Sequence, residues 1–289
     1  MNLPQKLDLN SNDWKAVQFT AMFIGSVYIL FYTSIEKTLT CLTKRGIKNE
    51  RILRQGERHK MGKYNFDEVI DRHGTDCLKY DFGMKRKGRD DLLPLWVADM
   101  DFRLPDEILD EFHKRIDHGI FGYTDPLDEY FAAMNHWFST RYGYTIEPDW
   151  VTLGAGIVYA LGTSVRAFTE EGDAMMVMQP VYYPFSEVIK NDGRRLVNCQ
   201  LRYENNHYSI DFEKMEKMIR EEGVKALIFC NPHNPVGRVW SAEELEKLGD
   251  ICVKNGVTVV SDEIHQDFTF DGHQQIPSAT VGDYDSLLI

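Results

Sequence analysis

The sequence predicts an α/β protein built around a mostly parallel sheet. Residues 226–230 and 257–260 are runs of apolar and β-branched side chains, a composition typical of strands that are buried on both faces. Between these runs, Ser241 and Glu244 have the spacing of a capping box, and Gly256 follows the last residue of a helical pattern. A strand, a helix and a second strand in this order form a right-handed unit with parallel strands.

Polar residues follow both of these predicted strands. Asp262, Glu263 and His265 follow the second, and the first enters a loop with Asn-Pro pairs that begin at Asn231 and Asn234. The carboxyl edge of a parallel sheet is where open α/β proteins bind ligands, so the sequence indicates a binding site there. The alternative is that the acidic residues only solvate a strand end. A metal site is less favoured, because neighbouring strand residues point to opposite faces.

Upstream, the same alternation of helices and strands continues. Pro105 is expected in the first turn of a helix that ends at Gly119, with an apolar face of Ile108, Leu109, Phe112 and Ile116. An apolar strand is expected at 150–153, then a helix that runs toward Gly172, and then a strand at 174–178.

Size, charge and cysteine content exclude several classes of protein. The chain has 289 residues, 43% hydrophobic and 27% charged, which is typical of a soluble globular protein with a substantial core. Its net charge of -12 argues against a general nucleic-acid binder. The five cysteines form no CxxC pair, which favours a reducing compartment and argues against a structural zinc site.

Residues 16–35 carry no charge and have the length that crosses a bilayer, about 20 residues. The segment also contains several polar side chains, and Lys and Arg residues follow it. We favour residues 1–60 as an N-terminal extension outside the fold, with a membrane anchor as the alternative. If the segment inserts, the positive-inside rule leaves the rest of the chain in the cytoplasm, and we expect the same location if it does not.

The glycines before the predicted helix at 157 suggest an anion site. Small residues at a helix N-terminus let backbone N–H groups approach a phosphate without a basic side chain. Gly154 and Gly156 are also a partial dinucleotide fingerprint, but Tyr159 stands where the third glycine belongs, and the next strand ends in Gln179-Pro180 instead of an acid. Tyr182, at the end of that strand, is either a packed turn residue or a stacking partner for a flat ring.

Four motifs together resemble a known family. NPHNPVG at 231–237, SDEIH at 261–265, PLWVADMDF at 94–102 and QPVYYPF at 179–185 are similar to motifs of the fold-type I pyridoxal-phosphate enzymes. These form the class I/II aminotransferase superfamily, and the likeness is to its cystathionine β-lyase, or carbon-sulfur lyase, branch. The resemblance begins near Met61. It implies a three-layer α/β/α sandwich around the sheet with an incomplete small domain: the N-terminal part of the small domain at 61–104 and the large domain at 105–289.

The resemblance also implies pyridoxal 5'-phosphate (PLP) as the cofactor and a role for each site residue. The backbone at 156–158 would bind the phosphate, Tyr182 would stack on the ring, Asp262 would face the ring nitrogen and Asn234 the phenolate oxygen. His265 stands where many aminotransferases have tyrosine. Tyr123, in the FGYT stretch, would reach the cofactor of a second subunit, which implies a homodimer with shared active sites. The implied cofactor-binding set is Gly156, Ile157, Val158, Tyr182, Asn234, Asp262, His265 and Tyr123.

The reaction implied is cleavage of cystathionine or a related cysteine S-conjugate to a thiol, pyruvate and ammonia. The Schiff-base lysine of the family is expected beyond Ile289, so we expect this chain to be a C-terminally truncated fragment without turnover. The alternatives are a PLP-dependent aminotransferase, a non-catalytic dimerising fragment and, more distantly, a nicotinamide oxidoreductase.

Overall fold

The structure, a computed structural model, describes residues 64–89, 91–270 and 272–282. These residues divide into one unit at 64–122 and a larger unit at 123–282. The extension at 1–60 and its candidate membrane segment lie outside the described residues. No helix within the described ranges combines the length and apolar character that crossing a bilayer requires. The predicted domain boundary after residue 104 stays a prediction.

The smaller unit contains helices α1 (Gly83–Lys87) and α2 (Asp106–His118). Pro105 is the N-cap of α2 instead of a residue in its first turn, and Gly119 ends the helix as predicted. No residue of α2 is fully buried, but Ile108, Leu109 and Phe112 of its predicted apolar face are half-buried. In the PLWVADMDF segment, Asp99 and Asp101 form ion pairs with Arg72 and with the buried Lys79.

A parallel sheet of four strands forms the centre of the larger unit. The strands are β1 (Ala174–Val177), β2 (Arg195–Asn198), β5 (Val224–Cys230) and β6 (Thr258–Asp262), in the spatial order β2-β1-β5-β6. Each neighbouring pair is parallel. Every residue of β1 is buried, and so is all of β5 except Lys225, as the apolar runs predict. A separate antiparallel hairpin joins β3 (Arg202–Glu204) to β4 (His207–Ser209).

Helices cover both faces of this sheet. On one face lie α4 (Ile157–Phe168) and α5 (Pro184–Asn191), and on the other α6 (Phe212–Glu222) and α7 (Ala242–Asn255). Successive strand residues alternate between the two cores: Ile228 and Val260 pack with α4 and α5, whereas Phe229 and Val259 pack with α6 and α7. The predicted α/β class and its three-layer α/β/α sandwich are therefore confirmed.

The ends of the helices show where sequence signals hold. In α7, the Ser241 hydroxyl accepts from the Glu244 N–H (3.2 Å), and the Glu244 carboxylate accepts from the Ser241 N–H (2.9 Å). Gly256 ends α7 at a φ of 65°, so the predicted capping box and stop are both confirmed. α4 ends at Phe168, before the predicted Gly172.

One predicted strand is wrong, and the helix that precedes it is one of several elements that the sequence analysis did not predict. A 3-10 turn at Pro148–Trp150 stands at the start of the predicted 150–153 strand, and residues 151–153 form no strand. The Val151 N–H donates to the Pro148 carbonyl (3.0 Å), which fixes the turn. Helix α3 (Asp128–Tyr142) precedes it and forms a small core of its own with Ile146.

Candidate active site at the carboxyl edge of the sheet

The two polar strand ends lie side by side. Cys230, the last residue of β5, is in register with Asp262, the last residue of β6. The Asn231 N–H continues the ladder beyond the strand by donating to the Asp262 carbonyl at 2.9 Å. The adjacency expected from the βαβ unit is therefore confirmed, and the loop with the Asn-Pro pairs begins next to Asp262.

Asp262 is a buried carboxylate, 6% exposed. Its Oδ1 accepts a hydrogen bond from the Ile264 N–H at 3.1 Å. Its pKa is raised from the ordinary value of 3.8 to about 6, chiefly by burial and to a smaller extent by the charge of Glu263, while the hydrogen bond from Ile264 opposes the rise. Within the described ranges, no Lys or Arg forms an ion pair with it. A cationic group at this position would stabilise the charged form of Asp262.

The strand alternation separates Asp262 from its neighbour Glu263. Asp262 follows the phase of Val260, which faces α4 and α5. Glu263 belongs to the opposite side, where its Oε1 accepts from the Ser278 N–H (2.8 Å) and the Ser261 hydroxyl (3.0 Å). The amide of Asn231 donates to the same oxygen at 3.3 Å. Glu263 therefore ties strand ends to the 276–280 turn, while Asp262 faces the other layer.

The N-terminus of α4 lies on the same face as Asp262. Ile157, its first residue, packs in one buried cluster with Cys230 and Val260. Gly156 is the N-cap, buried, with a φ of 141° that side chains with a Cβ rarely adopt. The first turn contains no acidic side chain, and Val158 is 39% exposed. The N–H groups of this turn have no partner within the helix, so they suit an anion.

Tyr182 stands beyond β1 on the same face. Its ring contacts Phe185 edge-on, with centroids 6.1 Å apart, and Phe185 is fully buried in the cluster that contains Ile157. Burial raises the pKa of Tyr182, and the charges of Tyr183 and Asp262 add to the rise. The charge of Asp262 thus reaches Tyr182, and the half-exposed ring remains accessible from solvent.

Asn234 is held close to the same strand ends. Its backbone N–H donates to the Cys230 sulfur at 3.4 Å, and that thiol donates to the Pro232 carbonyl at 3.2 Å. Cys230 is buried beside Asp262, whose charge helps to raise the pKa of the thiol, although burial has the larger effect. The Asn234 side chain is half-buried and forms no hydrogen bond with a described residue.

For two of the predicted site residues, the structure shows no contact with this group among the described residues. His265 is in the turn after β6, where its ring lies 6.2 Å from that of Phe268 and burial lowers its pKa. Tyr123 is fully exposed. The geometry therefore groups Gly156, Ile157, Val158, Tyr182, Asn234 and Asp262 on one face of the sheet, and the roles of His265 and Tyr123 stay predictions.

Sequence reasoning missed two residues of this edge, Cys230 and His233. His233 is buried, and its Nε2 lies 3.0 Å from the Pro180 carbonyl oxygen. A histidine between two Asn-Pro pairs was the available signal. A cysteine that ends an apolar run gives no signal beyond that of a core residue.

Comparisons with known proteins agree with this geometry. The family described as Aminotransferase class I and II matches residues 90–289. The chain is 45% identical over 219 residues to cystathionine beta-lyase PatB of Bacillus subtilis (strain 168), which covers 76% of this chain and 57% of that protein. It is 34% identical over 227 residues to protein MalY of Escherichia coli (strain K12), covering 78% and 58%.

A solved structure of a related protein has the same fold. The crystal structure of cystalysin from Treponema denticola, which contains a pyridoxal 5'-phosphate cofactor, superimposes with a TM-score of 0.73 at 38% identity. That match covers 78% of this chain and 58% of cystalysin. The chain thus spans less than two thirds of the length of these relatives. The resemblance carried by the four sequence motifs is confirmed, and the chain belongs to the aminotransferase class I and II family.

Proposed function

We propose that the protein is a PLP-dependent carbon-sulfur β-lyase. The observation that carries this proposal is Asp262, a buried carboxylate without a described cationic partner, which shares one sheet face with Tyr182 and the N-terminus of α4. The names of the relatives, a cystathionine beta-lyase and cystalysin, support the lyase over other PLP reactions. The proposed substrate is cystathionine or a related cysteine S-conjugate, and the products are a thiol, pyruvate and ammonia.

The residues of the candidate site fit PLP. The cofactor combines a phosphate, a flat ring and a basic ring nitrogen, and when bound it withdraws electrons from the substrate α-carbon. Asp262 suits the ring nitrogen, because burial disfavours its charged form and a cationic neighbour would offset that cost. The N–H groups of residues 157 and 158 suit the phosphate, and the accessible ring of Tyr182 suits stacking.

Each residue then has a defined task in the proposal. Asp262 holds a proton at the ring nitrogen, an effect of about one to three pKa units for a neighbouring carboxylate. Asn234, with its amide free of described partners, donates to the phenolate oxygen. We keep His265 in the set as a residue near the ring, although the structure shows no contact that supports it.

We further propose a homodimer in which Tyr123 reaches the phosphate site of the other subunit. Its full exposure leaves its ring free for such a contact. Protein with Asp262→Asn and protein with Tyr123→Ala should each have little or no activity when assayed alone. Mixed after unfolding and refolding, they should recover about a quarter of wild-type activity, because each hybrid dimer regains one intact site. No recovery on mixing would exclude shared sites.

None of the described lysines of the larger unit is a candidate for the Schiff base in this proposal. Lys254 is exposed and pairs with Glu216 at 2.7 Å, and Lys247 is exposed above the Phe212 ring. Borohydride reduction of the PLP complex followed by peptide mapping tests this point. A pyridoxyl-lysine within residues 61–289 would contradict the proposal.

We also propose that the protein is cytoplasmic, because its described cysteines are free thiols and Lys and Arg residues follow residue 35.

The decisive assay uses the whole protein and cystathionine. Release of pyruvate together with thiol supports the lyase, whereas amino transfer that depends on an added keto acid supports an aminotransferase. The second outcome is a real alternative, because the matching family is described as aminotransferases. Asp262→Asn should abolish either activity, and Lys247→Ala on the exposed face of α7 is the matched control. Purified protein that neither shows PLP absorbance nor takes up PLP would favour the non-catalytic alternative, and NADH binding would favour a nicotinamide enzyme.

A further inference from the structure

The buried imidazole of His233 joins two loops of the candidate site. The ring is 2% exposed, and its Nε2 lies 3.0 Å from the Pro180 carbonyl oxygen. A carbonyl oxygen only accepts, so Nε2 carries the hydrogen. Within the described ranges Nδ1 is buried without a hydrogen-bond partner of normal geometry. Burial is also the main reason that the pKa of His233 is lowered.

The hydrogen bond spans the two strands that present the site. Pro180 stands two residues before Tyr182, in the loop after β1. His233 directly precedes Asn234, in the loop after β5. The bond therefore links the loop of the proposed ring-stacking residue to the loop of the proposed phenolate ligand.

Other contacts fix the direction of the His233 ring. The ring meets Trp240 edge-on, with centroids 5.5 Å apart, and the Trp240 indole N–H donates to the Cys230 carbonyl at 2.9 Å. The backbone N–H of His233 donates to the Arg238 carbonyl at 2.7 Å. With the ring and the backbone both held, a shift of Pro180 would break the bond to Nε2.

We propose that His233 is a positioning residue that sets the separation between Tyr182 and Asn234. The inference rests on the proposed PLP site and deepens it. His233 acts through the two loops, and its donor is the neutral Nε2–H. Because Nε2 keeps its hydrogen in both charge states, the link persists across the pH range in which the enzyme is folded.

Side-chain replacements at this position separate the hydrogen bond from packing. A glutamine amide can place a donor near the Nε2 position, and an asparagine amide is too short to do so. Leucine retains apolar volume without a donor. In the whole protein, we expect His233→Gln to bind PLP within about threefold of wild type in absorbance titrations. We expect His233→Asn and His233→Leu to bind about tenfold to a hundredfold more weakly, because the Pro180 carbonyl loses its donor and the link between the two loops is lost.

The control is His136→Leu, at an exposed position of α3, which should leave PLP affinity unchanged. Crystal structures of the wild-type and His233→Leu proteins supply a readout that needs no cofactor: the separation of Tyr182 from Asn234 should change. The positioning role would be overturned if the wild type and the three His233 variants bound PLP equally well. Equal losses of affinity in the Gln and Asn variants would also overturn it. If the wild-type protein fails to bind PLP, the proposed function is wrong. The positioning inference is tested separately: it is wrong if the Tyr182 and Asn234 loops keep their separation in the His233→Leu structure.

Discussion

Replacing Asp262 with asparagine should stabilise the protein without cofactor while weakening its hold on PLP. The carboxylate is buried at 6% exposure, and its described hydrogen-bond donor is the Ile264 N–H. An asparagine side-chain oxygen can accept the same bond, so the substitution removes the charge and exchanges the second carboxylate oxygen for an NH2 group of similar size. The two effects have opposite signs because the charge costs stability in the fold and contributes affinity to the cofactor.

The magnitude follows from the pKa of Asp262. A rise from 3.8 in the unfolded chain to about 6 in the fold disfavours the charged form by about 3 kcal/mol. Well below pH 3.8 the group is protonated in both states, so relative to its charged form it contributes its full stability to the fold. This stability is lost as the pH rises from 3.8 through 6, where Asp262 must ionise in its buried position. The stability advantage of Asp262→Asn should therefore be near zero at pH 4 and reach at most about 3 kcal/mol at pH 7.

Urea titrations of the two cofactor-free proteins at pH 4, 5, 6 and 8 measure this difference directly. Other titrating groups are common to both proteins, so their contributions cancel in the comparison. PLP titrations at pH 8 should show weaker binding by the variant. A variant that is less stable than wild type at pH 8, or a stability difference that does not change with pH, would refute the account of Asp262 as an uncompensated buried charge.

Three further predictions concern the supports of the site. Ser241→Ala removes the acceptor for the Glu244 N–H, so urea titration should show the free energy of unfolding reduced by about 1 kcal/mol. Gly156→Ala places a Cβ at a φ of 141°, which should cost about 1–3 kcal/mol of stability in urea and also weaken PLP binding. Tyr182→Ala should weaken PLP binding roughly tenfold in absorbance titrations, whereas Tyr182→Phe keeps the ring and should bind nearly as wild type.

Each of these predictions has a control and a result that contradicts it. Ser241→Thr keeps a capping hydroxyl and should lose less stability than the alanine variant; equal losses would mean that the cap is not the cause. Gly172→Ala tests strain at a φ of 87° in the loop before β1, and an equal loss of PLP affinity there would contradict the special role of Gly156. Identical PLP affinity of the Phe and Ala variants at 182 would exclude stacking.

The core of the site was predictable because strand geometry constrains it. Two buried apolar runs joined by a capped helix require parallel strands, and parallel strands put their carboxyl ends at one edge. Asp262 and the loop of Asn234 therefore had to be neighbours, and the register of Cys230 with Asp262 shows that they are. The role of Glu263 was not predictable, because its partner Ser278 comes from a turn that no local pattern places at the strand ends.

Some elements that the sequence analysis missed lack the usual cap or turn residues, and in others such residues are present but were not used. Helix α3 begins after Leu127, which offers no side-chain cap, but Asp128 and Glu129 in its first turn and Gly143 after its end were usable signals. The β3–β4 hairpin turns at Asn205 and Asn206, both with positive φ (51° and 59°), and that pair was a usable turn signal. The strand predicted at 150–153 failed because Pro148 starts a 3-10 turn in front of it. Apolar content alone did not reveal that turn.

Because Asp262 and Glu263 point to opposite faces of the sheet, the site depends on the position of each residue along β6 as well as on which residues are present. Loss of a single codon within β6 would advance every later side chain by one pleat. The Glu263 carboxylate, which now accepts from the Ser278 N–H, would then face α4, and the Asp262 carboxylate would face α6 and α7. Such a chain would retain every residue type of the site and still misdirect both acids.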